Sequence, residues 1–265
     1  MSDQSKKTGT REWSEHSFNC CVGCAHGCLY CYARMHALRY GQIKRGQDWT
    51  TESCRERKVG KLRGVVMFPT THDYTQANFL TYIDTLSSLL DKGNRVLVVT
   101  KAGTDVMCHA GVIDCLQDFP SDQSELRVTL SCWAPEIRKF WEPGAPAIAD
   151  RFSVLKDAFR SGLRTSVSME PWLDGFDEMM ACVSEATPFV SETIWIGKAN
   201  KLYERTRWVR NERPELVPQL EQELARIAAN QSDERVMRVY QALKDNPKVR
   251  WKDSYAEVIQ RCGAN

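Results

Sequence analysis

No stretch of the chain comes near the ~20 consecutive apolar residues needed to cross a bilayer. The first ten residues are polar and contain no apolar segment of the signal-peptide kind. An excess of one charge is also missing, since 36 Lys and Arg face 34 Asp and Glu, a net of +2. That excludes a strongly basic nucleic-acid coat or an acidic tail as the main theme, but not a local basic patch. There is no internal repeat and no low-complexity tract. These absences lead to the expectation of a cytoplasmic protein with no membrane partner. What is present is enough for a core: 265 residues, 42% hydrophobic and 26% charged. At ~150 residues per domain this is one large domain, or one domain with an extension.

Eleven cysteines are many for such a chain. A reducing compartment and an odd count both argue against a disulfide framework. Cys20, Cys54, Cys108, Cys115, Cys132, Cys182 and Cys262 are scattered and read as small hydrophobes. The other four, Cys21, Cys24, Cys28 and Cys31, crowd into eleven residues, so the chemistry is sought there.

Beyond that cluster a rhythm begins. Gly64-Val65-Val66-Met67-Phe68, Arg95 to Thr100, Leu126 to Ser131, Thr165 to Met169 and Thr193 to Ile196 are short apolar runs. Ser17 to Asn19 offers a sixth before them. Between the runs, Phe79, Ile83, Leu86 and Leu90, then Ile148, Phe152, Leu155 and Phe159, recur at helical spacing. Strands without a polar face alternating with amphipathic helices indicate a parallel sheet covered by helices. In such α/β folds ligands sit at the carboxyl ends of the strands. Those ends carry Thr70-Thr71-His72-Asp73, Thr100-Lys101, Ser131-Cys132-Trp133, Ser168-Met169-Glu170-Pro171 and Gly197-Lys198-Ala199-Asn200. Hydroxyls, amines and a carboxylate gathered at one rim suit a polar cofactor or substrate.

Two metal readings of the cysteine cluster compete. Zinc would use Cys21, Cys24, Cys28 and Cys31 as two CxxC pairs, although structural zinc sites usually set their pairs about a dozen residues or more apart. The other reading takes Cys24, Cys28 and Cys31 alone, spaced CxxxCxxC. Three thiolates can hold three irons of a [4Fe–4S] cube and leave the fourth open, where most such clusters have four cysteines. Gly23 and Gly27 let the backbone wrap closely around it.

CxxxCxxC with an aromatic, Tyr30, just before the third cysteine resembles the signature of radical S-adenosylmethionine (SAM) enzymes. The wider segment from Gly23 to Arg34 is similar to their spore photoproduct lyase-like branch. So is a second patch, Trp141-Glu142-Pro143-Gly144-Ala145-Pro146, Arg151-Phe152, and Gly162 through Pro171. The resemblance covers roughly residues 14–200 and implies an α/β fold, a partial (β/α)6 barrel of the radical SAM type, whose domain is set at residues 14–230. It would follow a flexible N-terminus, 1–13, and precede a helical C-terminal extension, 231–265. It implies a [4Fe–4S] cluster on Cys24, Cys28 and Cys31 whose open iron chelates SAM. One electron then cleaves the S–C5′ bond to a 5′-deoxyadenosyl radical, which abstracts a hydrogen atom from a substrate. By position, His72 and Asp73 approach the methionine amino group. Lys101 and Ser131 approach the carboxylate and ribose, Ser168 and Glu170 the adenosine, and Trp195 walls the adenine. The electron would come from an external donor such as a flavodoxin or ferredoxin. One departure stands out: the lyase's donor cysteine near the end of the second strand is absent from Phe68-Pro69-Thr70-Thr71-His72-Asp73-Tyr74. Tyr74 and Cys132 are the candidate catalytic hydrogen donors in its place.

The substrate is unknown, and nucleic acid is possible. Residues 34–63 hold nine Lys and Arg against three acids. Residues 201–213 interleave Lys201, Arg205, Arg207, Arg210 and Arg213 with Tyr203 and Trp208, the residue types that phosphate contact and base stacking require. A small-molecule or peptide substrate is the alternative. From another class, a non-enzymatic zinc-stabilised nucleic-acid-binding module remains open.

Overall fold

A parallel sheet of apolar runs is stable only when both faces are covered, by helices outside and by a filled interior. The computed structural model, which describes residues 9–107 and 111–263, is built on that plan. After a 3-10 turn at Gly9–Glu12 come β1 (His16–Ser17), β2 (Cys21–Val22), α1 (Tyr32–Arg39), β3 (Ser53–Cys54) and β4 (Val65–Phe68). Then α2 (Phe79–Asp91), β5 (Arg95–Thr100), α3 (Thr104–Met107), α4 (Val112–Gln117) and β6 (Ser124–Thr129) follow. They lead to α5 (Pro135–Trp141), α6 (Ile148–Arg160), β7 (Thr165–Met169), α7 (Phe176–Ala186) and β8 (Ile194–Ile196). The chain ends with α8 (Leu202–Arg205), α9 (Arg207–Glu212), α10 (Val217–Asn230), α11 (Asp233–Leu243), β9 (Val249–Trp251) and α12 (Asp253–Gly263).

β1-β4-β5-β6-β7-β8-β9 form one sheet, with every neighbouring pair parallel. Strand order follows chain order, as the partial barrel requires. The sheet has one strand more than expected. β9 lies inside residues 231–265, read from sequence as a helical extension, and Val249 pairs with Ile194. Three residues hemmed by Pro247 and Asp253 carry too little periodicity to announce a strand. Cys108, read as a small hydrophobe, lies outside the described residues.

Side chains alternate across each strand. Val66, Phe68, Val96, Val98, Leu126, Val128, Val167 and Ile194 join one buried core with Leu86, Leu116, Val154, Leu155, Met179 and Val183 of the helices. Each such side chain contributes on the order of 1.5–3 kcal/mol by leaving water. The alternate positions of β6 and β7 are polar: Glu125, Arg127, Thr129, Ser166 and Ser168. Local signals set the element ends. Pro135 opens α5, and Gly162, at φ +77°, lets the chain leave α6 in the left-handed region.

The N-terminal residues expected to be a mobile lead-in are partly fixed. Lys252, fully buried, donates from Nζ to the Gly9 carbonyl at 2.7 Å and pairs with Glu12 at 2.9 Å and Glu170 at 3.4 Å. A buried ammonium must find such partners. It thereby holds residues 9–13 over the open edge of the barrel.

Candidate functional site

A cavity of about 510 Å³ opens at the carboxyl ends of the strands. Cys24, Cys28 and Cys31 all line it, with Tyr30, His72, Asp73, Lys101, Ser168 and Glu170. Ten residues named from sequence thus need placing individually around one triad, and the structure sorts them into cavity wall and support.

The cysteine loop is packed from both sides. Gly23, at φ +95°, presses so closely on the loop before β3 that a Cβ would lie 2.2 Å from the Thr51 carbonyl oxygen. Cys24 N–H donates to the Trp49 carbonyl and Ala25 N–H to the Glu52 carboxylate, both at 2.9 Å. On the other side stands the second sequence patch. Leu29 N–H donates to the Trp141 carbonyl, Gly144 N–H donates to the His26 carbonyl, and a Cβ at Gly144 would meet the Ala25 oxygen at 2.3 Å. The two patches that carry the family resemblance are therefore one object, a loop and its backrest.

Glu142 is the centre of that backrest. It is 0% exposed, and its Oε1 accepts from the Tyr30 hydroxyl and from Ser131 Oγ at 2.6 Å. Its Oε2 accepts from Arg151 Nη2 at 2.6 Å, and Lys101 Nζ stands 3.9 Å from Oε1. Arg151, also fully buried, donates onward to the Pro146 and Thr129 carbonyls. Burial alone pushes the Glu142 carboxyl up, but Arg151 and Lys101 outweigh it and bring it down to about 2. Neither Glu142 nor Arg151 was assigned a role from sequence, although both lie in the second patch.

Asp73 is the second anchor. Its Oδ1 accepts from Thr100 Oγ1 and Tyr74 N–H, and its Oδ2 accepts from Lys101 N–H at 2.7 Å and faces His26 Nδ1 at 3.3 Å. Burial works upward, yet His26 and Thr100 hold it at about 2. With its lone pairs taken, Asp73 ties the cysteine loop to β4 rather than offering a free carboxylate to a ligand. His72 turns its Nε2 away, accepting from Cys20 N–H. Both carboxyls sit below their ordinary values of 3.8 and 4.5 in the folded state. They stabilise the fold above those values, and that contribution is lost as pH falls from about 4.5 through about 2. The thermal midpoint of the metal-free protein should fall across that window, and Asp73→Asn should flatten the fall; parallel curves for the two proteins would refute the anchoring role.

Four candidates do not reach the cavity wall. Ser131 is occupied with Glu142. Trp195 lies behind Trp13, ring centroids 6.1 Å apart, and Trp13 takes its place in the wall. Cys132 is fully buried under β6, its thiol pushed up by burial and then by Glu142 and Asp174. Tyr74 is fully buried against the Tyr82 ring of α2, 4.4 Å between centroids. Neither expected hydrogen donor therefore faces the cavity. Residues 130–132 follow the last residue of β6 and stay beside β7: Leu130 N–H donates to the Ser168 carbonyl, and the Ser131 carbonyl accepts from Leu173 N–H.

The donor set fits a thiolate-held cluster. Burial raises all three thiols, Cys28 to about 12, and Cys24 is raised further by Asp73, Cys28 and Cys31. Lys101 and Arg151 pull Cys28 down. The amides of Arg34 and Ala33 at the start of α1, with Lys101 and Arg205, do the same for Cys31. Such cations and N–H groups favour bound anions. Cys21 is instead bonded to Cys54 across β2 and β3, so the four-cysteine zinc set is not assembled. Ser168, which also lines the cavity, is 1% exposed, and its Oγ has no hydrogen-bond partner among the described residues. A buried hydroxyl left unpaired on a cavity wall points to a polar ligand.

No family model matches the chain. An uncharacterized protein of Acidianus two-tailed virus is 26% identical over 174 residues, 58% of this chain and 55% of that protein. The chain thus spans little more than half the length of that relative. A spore photoproduct lyase variant with bound AdoMet and dinucleoside spore photoproduct superposes with a TM-score of 0.54 at 12% identity, over 90% of this chain and 76% of its own. Streptococcus suis SuiB bound to precursor peptide SuiA gives 0.54 at 9% identity, over 89% and 49%. The fold is similar to that of these radical SAM enzymes. Among the described residues no helix is long and apolar enough to cross a membrane.

Proposed function

We propose that the chain is a radical SAM enzyme. The observation that carries this reading is that Cys24, Cys28 and Cys31 line one cavity of about 510 Å³ together with Ser168, whose hydroxyl is unpaired among the described residues. That volume falls within the ~300–1,000 Å³ of small-molecule sites. Held by the three thiolates, a [4Fe–4S] cluster would supply one electron and an open iron for reductive cleavage of SAM to a 5′-deoxyadenosyl radical, which takes a hydrogen atom from a substrate.

The chain's own residues bind, orient and exclude water. Lys101, its ammonium between Glu142 and the Cys28 thiol, places positive charge where thiolates and a ligand carboxylate gather. Burial acts against that charge, but Glu142 and Cys28 outweigh it, so Lys101 stays protonated. Thr70 and Thr71 are held by Asn19, whose Oδ1 accepts both amides at 2.8 Å, which fixes the β4 end of the cavity. Trp13, Tyr30, Tyr32 and Met67 supply apolar wall, with the indole of Trp13 as the flat surface for a base.

At the mouth, Arg11, Lys198 and Arg205 favour an anionic substrate, with a nucleobase within nucleic acid first and a peptide or small molecule second. Much of the second basic segment is already committed. Arg34 stacks on Trp208 at 3.6 Å and pairs with Glu212, Arg210 pairs with Glu221, and Arg213 with Glu215. An external flavodoxin or ferredoxin would deliver the electron.

Ser168→Ala tests the ligand side. Calorimetric titration of SAM into iron–sulfur-reconstituted protein should show one site, weakened about three- to tenfold by the loss of one hydrogen bond. Because the hydroxyl has no internal partner, the melting temperature should not fall. Equal affinity for both proteins would remove SAM from this wall.

A further inference from the structure

A second set of metal donors lies behind the cavity and is not used by the proposed chemistry. Cys20 and Cys21 are buried, and Cys54 is exposed on β3. Cys20 Sγ stands 3.8 Å from Cys21 Sγ and 3.7 Å from His72 Nε2, and Cys54 Sγ is bonded to Cys21 Sγ. Tetrahedral zinc at about 2.3 Å from sulfur and 2.0–2.1 Å from nitrogen has S···S edges of ~3.8 Å and S···N edges of ~3.6 Å. Two of the three edges among Cys20, Cys21 and His72 therefore already have the lengths of a zinc tetrahedron, and the third is within 4.8 Å.

The imidazole is set for ligation. His72 Nδ1 lies 3.2 Å from the Asp73 carbonyl, which can only accept, so Nδ1 carries the proton and Nε2 offers its lone pair toward Cys20. In the disulfide form that lone pair accepts the Cys20 amide at 3.2 Å. Burial lowers the His72 pKa, which keeps the ring neutral, the form that ligates. The Tyr82 hydroxyl is buried without a hydrogen-bond partner among the described residues, and its ring lies 6.3 Å from the His72 ring, centroid to centroid.

We propose that Cys20, Cys21, Cys54 and His72 form a Cys3His site that binds zinc when the Cys21–Cys54 disulfide is reduced. A dithiol reductant gives two electrons and two protons to the disulfide and leaves as its own cyclic disulfide. Zn²⁺ then displaces one proton from each of the three thiols and takes the Nε2 lone pair. The site joins β2, β3 and the end of β4. Those are the segments that brace the cysteine loop through Arg55 N–H on the Cys20 carbonyl and Glu52 on Ala25. Its role is to replace, under reducing conditions, the staple that the disulfide supplies under oxidising ones.

The test uses the full chain carrying Cys24→Ala, Cys28→Ala and Cys31→Ala together, so that iron-site thiols cannot contribute. After anaerobic reduction, Co²⁺ should produce thiolate charge-transfer and tetrahedral ligand-field bands at one equivalent, and Zn²⁺ should displace it. Adding Cys20→Ala or His72→Ala should weaken binding by roughly 100-fold or more, beyond the usual effect of changing a ligand's support. The unreduced protein should show no such bands. Absence of the bands after reduction, or bands unchanged by both added substitutions, overturns the proposal.

If the triple variant does not fold, reduced wild-type protein reconstituted with iron, sulfide and zinc is alkylated and mapped by mass spectrometry. Zinc near one per chain, with protection of the exposed Cys54 that a zinc chelator removes, supports the site, and Cys54 labelling that zinc does not change overturns it. These readouts do not depend on the radical SAM reading, which can fail while the zinc site stands.

Discussion

Replacing Cys28 with alanine is expected to leave a folded protein that holds no cube. Iron and sulfide after anaerobic reconstitution should fall from about four each per chain, the content of one [4Fe–4S] cluster, to background. SAM cleavage should be abolished, and Cys24→Ala and Cys31→Ala should behave alike. The loop itself should survive, because the contacts that hold it do not pass through the thiols. They run from Leu29 to Trp141, from Gly144 to His26, from Tyr30 to Glu142 and from His26 to Asp73. Circular dichroism should therefore match the wild type. A Cys28→Ala protein that still loads four irons and still cleaves SAM would show that these three cysteines are not the ligands.

The second large effect is on stability. Glu142→Ala removes one partner of a pair in which both side chains are 0% exposed, leaving the Arg151 guanidinium buried beside Lys101. Breaking such a pair costs about 3–5 kcal/mol. In a chain of this size that lowers the melting temperature by on the order of 10 °C. The Tyr30 and Ser131 hydroxyls lose their acceptor as well, so the cysteine loop loses its backrest and iron loading should fall. The double variant Glu142→Leu, Arg151→Met separates the two effects. Swapping a buried ion pair for apolar groups is often near neutral, so stability should largely return while iron loading stays low. A Glu142→Ala protein that melts within about 2 °C of wild type would refute the central role of this carboxylate.

The barrel was legible because each parallel strand is a short β-branched run whose outward residues face helices. Arg95–Thr100 and Thr165–Met169 fall where the periodicity puts them. The alternation Glu125, Arg127, Thr129 and Ser166, Ser168 also marks a polar barrel interior, a signal present in the sequence but hidden by reading the strands as wholly apolar. The cavity followed from the strand-end rule, which brought Lys101, Ser168 and Glu170 to the wall. The same rule failed for Ser131 and Cys132, because the Ser131 hydroxyl is taken by Glu142 and Cys132 is fully buried. Contacts made across long separations were not legible at all. Trp13 reaches the wall only because Lys252, near the far end of the chain, fixes Glu12. Cys21 finds Cys54 only because β2 and β3 pair. The second patch was recognisable by its residues, but its role as the loop's backrest exists only in three dimensions.

The most direct test of the account is anaerobic reconstitution of the wild-type chain with iron and sulfide, addition of SAM and a strong reductant, and chromatography for 5′-deoxyadenosine. The account predicts 5′-deoxyadenosine that depends on reductant and cluster and disappears with Cys28→Ala. A folded, iron-loaded chain that binds SAM and yields none would contradict it, leaving the barrel as a fold without this chemistry.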